Sequence, residues 1–382
     1  LKSVLIVSDP LSSGVSVQLN VINFFRSRLE GKFNVFVYWN PISGDKDHII
    51  KKYGLNLIGS DMEIGISRIL PRRFRSNEAL LWVFSWFSES LFGVVSEDVS
   101  RVVREKNIDI VINVSSTTPC ISDIWIVQGT PFYETLKNLS RTNLIATLSL
   151  ILLSFPIYML ERKLLRKFIS RSRKIIANST YIKTYYEKIG VAVSSVLHTI
   201  KDFSDFRCTD SLPSRDYVLS YIGKETEINI LIDLASRGVK VVTFGSKIPP
   251  GISTESIKSH LIFEGYVEED RLAKLYSNAL FTAFPFTEEP FGYIPIESSL
   301  CGTPVLTYRK QGPLETIIES KNGWLVDGQD EFIAKATEIW NRKSTGISSN
   351  SCVETAQNLV RKFSEEFDSM IEGFTCREQN KV

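Results

Sequence analysis

The sequence predicts an α/β protein built from two doubly wound domains. Three observations carry that expectation. The chain is 382 residues long, more than one ordinary core accommodates. Short apolar runs of strand length recur between helical stretches in both halves, the pattern of buried parallel strands joined by crossover helices. Ile200 to Pro213 (IKDFSDFRCTDSLP) is polar and aperiodic and reads as the linker between the halves.

In the first half, SVLIVSD (3–9) reads as a buried strand and the stretch after Leu11 as a loop feeding an amphipathic helix. Ser12, Ser13 and Gly14 lie where strand meets helix, the side of a doubly wound sheet that faces ligand. No G-x-G-x-x-G is present, so a dinucleotide is not implied. FNVFVYW (33–39), IDIVINV (108–114) and IWIVQG (124–129) are further strands. Asp45-Lys46-Asp47-His48 has the look of an Asp-x-Asp metal motif but sits in a polar loop and reads as a solvated turn. RKIIANSTYIKTYYEKIGV (173–191) gives a strand, a cap at Asn178-Ser179 and a helix ending near Gly190.

In the second half, YVLSYIG (217–223), VKVVTFGS (239–246) and LIFEGYV (261–267) are strands, the last followed by a helix opening on Glu268, Glu269 and Asp270. Leu280 to Phe284 is another strand and ends at Pro285. A loop with Glu288 and Glu289 follows, then Phe291-Gly292, then a helix over Ile294 to Leu300 that tolerates Pro295 in its first turn. Thr303 to Tyr308 is a strand, and Gly312-Pro313 opens a loop leading to Glu315. Helices are expected over Gln329 to Asn341 and Val353 to Phe374, with a Ser/Asn-rich break between.

Bulk properties narrow the classes. Apolar residues make up 43% and charged ones 23%, with a net charge of +2, so no nucleic-acid partner is implied. The five cysteines (120, 208, 301, 352 and 376) are odd in number, widely spaced and without a C-x-x-C pair. They read as free thiols in a reducing compartment, not as a zinc site. The apolar run Val4 to Val7 is too short for a signal peptide and leads into Asp9, so a cytoplasmic setting is expected. The three histidines (48, 198 and 260) stand alone without ligand spacing, and no motif implies a divalent metal.

The stretch Leu280 to Asp327 orders the features a sugar-nucleotide site needs. Glu297, on the first turns of a helix at a loop–strand crevice, can accept both hydroxyls of a ribose. The helix N-terminus and the Phe291-Gly292-Tyr293-Ile294 backbone offer partial positive charge to a diphosphate. Glu289 can bond sugar hydroxyls and orient the anomeric carbon. The plainer alternative leaves both glutamates as solvated surface residues.

Glu289 and Glu297 frame E-PFGYIPI-E, followed by CGTPVLTY, QGPLETI and NGWLVD. This ordered set resembles the donor site of the retaining family-four glycosyltransferases, glycosyl transferases group 1. The resemblance implies the GT-B fold, two Rossmann-like domains facing a central cleft, with the final helix crossing back to the first domain. It implies a UDP- or GDP-sugar as donor substrate and no covalently bound cofactor. It makes Gly14 the match to the family's first-loop glycine, beside Ser13. Gln128 stands where the family often has a histidine near the reacting sugar; a Gln can donate a hydrogen bond there but cannot exchange protons. Gly223 and Lys224 match the loop that neutralises the diphosphate, Lys224 serving with Glu289 in the chemistry. The second basic position of that loop is missing, at Ile228 or deleted, with Lys247 and Arg309 as candidates to replace it.

Two segments look interfacial, the plainer alternative for each being a buried helix packed on the sheet. Leu144 to Leu160 carries no charge, and Arg162, Lys163, Arg166, Lys167, Arg171, Arg173 and Lys174 follow it. Seventeen residues is the lower edge of a membrane span. One crossing would separate strands that should share a sheet, so a helix lying on the surface is expected instead. Its apolar face is taken to be Leu160, Leu164, Leu165, Phe168 and Ile169, opposite the cations. Pro71 to Phe92 repeats the theme of arginines followed by Trp and Phe.

The expected organisation is an acceptor-binding domain over 1–204 with apolar and basic membrane-facing segments, a donor domain over 205–355 and a returning helix over 356–382. The expected activity is transfer from a nucleoside-diphosphate sugar to an acceptor hydroxyl on a lipid-linked or membrane-presented glycan, at the cytoplasmic membrane face. Two rivals stand beside it: a catalytically weakened, nucleotide-sugar-binding subunit, and a phosphorylase or epimerase on the same fold.

Overall fold

A computed structural model describes residues 1–8, 16–39, 57–59, 86, 88–89, 91–115, 118, 120–130, 144–198, 201–208, 213–223, 225–245 and 260–376. Elements are numbered over these residues. The chain divides into two compact units, Leu1–Asp202 with Glu365–Val382, and Phe203–Ser364.

Unit 1 contains β1 (Lys2–Val7), α1 (Ser16–Leu29), β2 (Phe33–Trp39), β3 (Leu57–Gly59), α2 (Val94–Glu105), β4 (Ile110–Asn113), β5 (Ile124–Val127), α3 (Leu144–Arg171), β6 (Lys174–Ala177), α4 (Thr180–Lys188) and β7 (Ser195–Val196). Its sheet runs β3-β2-β1-β4-β5-β6-β7 and is parallel throughout. That is the doubly wound order, with its reversal between β1 and β4. The strands read as unbroken apolar runs because both faces are covered: Val4 to Val7 are all buried. α4 starts where a serine can cap it, the Ser179 hydroxyl accepting from the Ile182 N–H at 3.2 Å. It stops at Gly190, whose φ of 84° suits a residue without Cβ.

α3 connects β5 to β6, and those strands are paired in parallel, Ile124 opposite Lys174. The helix is therefore a crossover connection. Its burial corrects the expected lipid-facing stripe. Leu164, Leu165 and Phe168 are core residues, packed with Trp125, Ile175 and Tyr186. Helical periodicity identifies an apolar face but not what covers it; here the sheet does. Among the described residues no helix is long and apolar enough to cross a membrane.

Unit 2 contains β8 (Val218–Ile222), α5 (Ile228–Ser236), β9 (Val241–Gly245), β10 (Leu261–Gly265), α6 (Glu269–Asn278), β11 (Thr282–Phe284), α7 (Tyr293–Leu300), β12 (Val305–Tyr308), a 3-10 turn (Gly312–Glu315), β13 (Gly323–Val326) and α8 (Gln329–Arg342). Its parallel sheet runs β10-β9-β8-β11-β12-β13, the same winding, reversing between β8 and β11. Leu231, Phe281, Phe284, Val305, Leu306 and Phe332 fill its core. The segment after Asp202 reads as polar, yet Phe203 and Phe206 are buried and set their rings against Tyr293 and Tyr276.

The last helix, α9 (Ser349–Cys376), begins in unit 2 and ends in unit 1. On unit 2 its Phe363 meets Phe291. On unit 1 its Phe367 stacks edge-on against Phe24 and Phe25, and Asp368 pairs with Arg28 at 2.8 Å.

Candidate active site

The crevice of unit 2 lies beyond the carboxyl ends of β8 and β11, where the strand order reverses. Such a switch point leaves room between the two diverging connections, and ligands of doubly wound sheets sit there. Gly223 follows β8, and the Glu289 loop follows β11. The two connections are tied together. Thr226 bridges Phe286, the Thr287 N–H donates to the Glu225 carbonyl at 2.7 Å, and the Glu227 N–H donates to the Pro285 carbonyl at 3.1 Å. Gly223 is held by its N–H donating to the Thr226 hydroxyl at 2.9 Å. The Tyr221 ring fills the space a Cβ on Gly223 would need.

Glu289 folds its carboxylate back over the entrance of α7. One oxygen accepts the backbone N–H of Phe291 at 3.2 Å and of Gly292 at 3.0 Å. These are charge-assisted bonds at a helix N-terminus and favour the ionised form. They are outweighed: burial, and then the charge of Glu225, push the Glu289 carboxyl up to about 7. Its backbone is clamped from the next loop, the Glu289 N–H donating to the Gln311 side-chain oxygen at 2.6 Å and the Gly312 N–H donating to the Glu289 carbonyl at 3.0 Å.

Gly292 caps α7 with a φ of 105°, and a Cβ there would stand 2.9 Å from the Thr316 hydroxyl oxygen. A glycine is required on both counts. Phe291 is buried, its ring 5.1 Å from that of Tyr293, and Ile294 packs on the unit 2 core. Glu297 lies one turn further along α7 and is 5% exposed. The Tyr276 hydroxyl donates to its Oε2 at 3.0 Å. The phenol of Tyr276 is itself pushed up, by burial first and then by Glu297. Tyr221 is likewise raised, by burial and then by the charges of Glu225, Glu289 and Glu297.

The structure thus gathers Gly223, Glu289, Phe291, Gly292, Tyr293, Ile294 and Glu297 in one crevice. Ser13, Gly14 and Lys224, with Lys247, lie outside the described residues. Gln128 belongs to unit 1, where its side-chain nitrogen donates to the Val114 carbonyl at 2.8 Å and its own carbonyl accepts from Asn178. Arg309 is engaged elsewhere, with Glu319 at 3.3 Å, Asp327 at 3.4 Å and the Leu325 carbonyl at 2.8 Å. Lys310 sets its ammonium 4.4 Å from the Tyr308 ring centre and 5.1 Å from that of Phe286, beside the loop that begins at Gly223. An open cavity lined by Arg215, Lys240, His260 and Lys343 borders the opposite, amino end of β8 and β9 and is not this site. Sequence reasoning missed Gln311, Tyr276, Thr316 and Tyr221; the pair QG and the aromatic two residues before Gly223 were the only signals for them.

Residues 252–359 match the family described as glycosyl transferases group 1. The chain carries a group 1 glycosyltransferase segment. It holds α7, both glutamates and the Gln311 clamp. The D-inositol 3-phosphate glycosyltransferase of Mycolicibacterium smegmatis is 24% identical over 168 residues, 40% of this chain and 39% of that relative. The chain thus spans about two fifths of the length of that curated relative. Two solved structures share the fold across both units: sucrose-phosphate synthase from Thermosynechococcus elongatus (TM-score 0.69, 14% identity, 99% of each chain covered) and Anabaena HepE in complex with UDP and glucose (TM-score 0.67, 13% identity, 98% and 100% covered). The fold around the group 1 segment is GT-B.

Proposed function

We propose that the chain is a retaining glycosyltransferase that moves a sugar from a nucleoside-diphosphate sugar to an acceptor hydroxyl, on a lipid-linked or membrane-presented glycan. The observation that carries this reading is the Glu289 loop turning into α7 at the switch point, with Glu297 one turn behind. Glu297 takes the ribose hydroxyls. The amides of the Phe291 to Ile294 stretch, with Gly223 and Lys224, take the diphosphate, and Glu289 orients the sugar. The acceptor oxygen bonds to the anomeric carbon as the bond to the diphosphate breaks, and the acceptor proton passes to the departing phosphate. Leaving-group charge is met by Lys224 and backbone amides rather than by a protonated side chain. Ser13, Gly14 and Gln128 are assigned to the acceptor and first-loop positions on the resemblance. HepE is described with UDP, which makes UDP the first base to try here.

A second reading has its own observation. Glu225 adds negative charge beside Glu289, the second cause after burial of its raised carboxyl, where a diphosphate needs cations. A nucleotide-sugar-binding subunit with weakened turnover fits that crowding.

Thermal unfolding of wild type and Glu297→Ala, with UDP, GDP, ADP and their common sugars, tests the donor site. A ligand at a hundredfold its Kd adds about 2.7 kcal/mol. Stabilisation of wild type alone by one nucleotide supports the site and gives its base; no stabilisation by any nucleotide overturns it. Turnover of the stabilising sugar nucleotide then separates the enzyme from the weakened subunit.

A further inference from the structure

α3 has a second face. Leu148, Ile151, Leu152, Phe155 and Met159 are 49%, 71%, 75%, 71% and 49% exposed. At about 3.6 residues per turn they fall within roughly 60° of one line along the helix, over about 17 Å. Carried toward the C-terminus, the same line meets Lys163 and Arg166, both exposed. The opposite side, through Ile157, Leu164 and Phe168, is buried. One solvent-facing stripe is therefore apolar for three turns and cationic for the next.

Two further observations bear on what covers it. Glu161 is the only acidic residue between Leu144 and Arg171, and it is buried, so the helix itself puts no acidic residue on the stripe. The segment Glu89–Gly93 abuts α3 at Lys167, whose ammonium bonds to Glu89 at 3.2 Å. Leu91 and Phe92, two and three residues beyond Glu89, are 58% and 76% exposed.

We propose that this face of α3, with Leu91 and Phe92, seats unit 1 on a lipid bilayer bearing anionic headgroups. The apolar half enters the acyl boundary, while Lys163 and Arg166 meet the headgroups; an amphipathic helix binds in the plane of the interface by this combination. The charge pattern favours lipid over a second copy of the chain. Self-pairing along the stripe leaves the cations without counter-charge, whereas an anionic surface supplies it. The inference stands on unit 1 alone, independently of the donor reading.

The test is sedimentation of the full chain with vesicles of phosphatidylcholine, and of phosphatidylcholine with one quarter phosphatidylglycerol. Wild type is expected to partition at least about tenfold more strongly onto the anionic vesicles, since each basic residue at a surface contributes on the order of 1 kcal/mol. The triple variant Ile151→Ser/Leu152→Ser/Phe155→Ser and the reversal Lys163→Glu/Arg166→Glu should each lose that binding while melting with wild type, because all five side chains are exposed. Donor binding by both variants, read separately, should be unchanged. Failure of wild type to bind anionic vesicles overturns the proposal, as does undiminished binding by the triple variant. A dimer seen by sedimentation velocity that the triple variant abolishes, without lipid binding, assigns the face to a second copy and also overturns it.

Discussion

The main-chain N–H of Glu289 donates to the side-chain oxygen of Gln311 at 2.6 Å, across 22 residues of sequence. Gln311 thus sets where Glu289 sits without touching its carboxylate. It does so from a φ of 59° and ψ of −145°, a region that only glycine visits freely. A glycine at 311 would relieve that strain and lose the bond. Gln311→Gly should therefore change unfolding free energy by no more than about 1 kcal/mol, the two effects opposing each other. Affinity for a nucleoside diphosphate should fall roughly tenfold, the equivalent of about 1.4 kcal/mol. Calorimetric titration beside a thermal melt separates the two; unchanged affinity would show that the loop holds its place without the clamp.

Gly312 is constrained by its neighbours. A Cβ there would overlap the backbone of Phe291, where the two loops cross. Gly312→Ala must push the Phe291 loop away from the switch point, and overpacking of this kind costs typically about 1–3 kcal/mol. Gly328 has open space around its Cβ position. Gly328→Ala should leave the melting temperature within the range of ordinary surface changes, about 0.5 kcal/mol. Equal melting temperatures for the two variants would contradict the crossing geometry.

The raised carboxyl of Glu289 makes a signed pH prediction. Its folded value, about 7, lies above the ordinary 4.5, so the folded state binds more protons than the unfolded one between those values. Stability from this group is present at low pH and is lost as pH rises through that window. Glu289→Gln should flatten the fall in melting temperature between pH 5 and 8. Glu225→Gln should reduce it, since Glu225 is the largest charge acting on the carboxyl. If the donor reading holds, Glu225→Gln should also tighten nucleoside-diphosphate binding. A slope identical in all three proteins would remove Glu289 as its source.

The winding of both sheets was legible because parallel strands buried on two faces leave unbroken apolar runs, and their alternation with helices restricts the topology. β3, three residues long, leaves no such run. The coming together of Glu289, Gly292 and Glu297 about the start of α7 was legible because they lie on one loop and one helix, where spacing in sequence is spacing in space. Gln311, Tyr276 and Thr316 act on that helix from other elements, and single-sequence pattern carries no register between elements. α3 shows the same limit. Its core face and its exposed face are both apolar over the first half, so composition gave the amphipathic theme while only the packing of Leu164 and Phe168 on Trp125 showed which face was taken.

Tyr276 and Glu297 give the sharpest test of the ribose assignment. The phenol donates to Glu297 Oε2 from a fully buried ring. Tyr276→Phe removes that donor and leaves a buried carboxylate oxygen less well satisfied, at a cost of about 1–3 kcal/mol. This loss belongs to the fold and should appear with or without nucleotide. The role of Glu297 toward ribose should appear only with ligand. Glu297→Gln keeps the size and one acceptor oxygen but gives up the charge that strengthens a bond to a hydroxyl. It should weaken UDP by about tenfold or more and 2′,3′-dideoxy-UDP hardly at all, because the second ligand has no ribose hydroxyls to lose. Equal weakening of both ligands would place the effect of Glu297 in the shape of α7 rather than in contact with the sugar of the nucleotide.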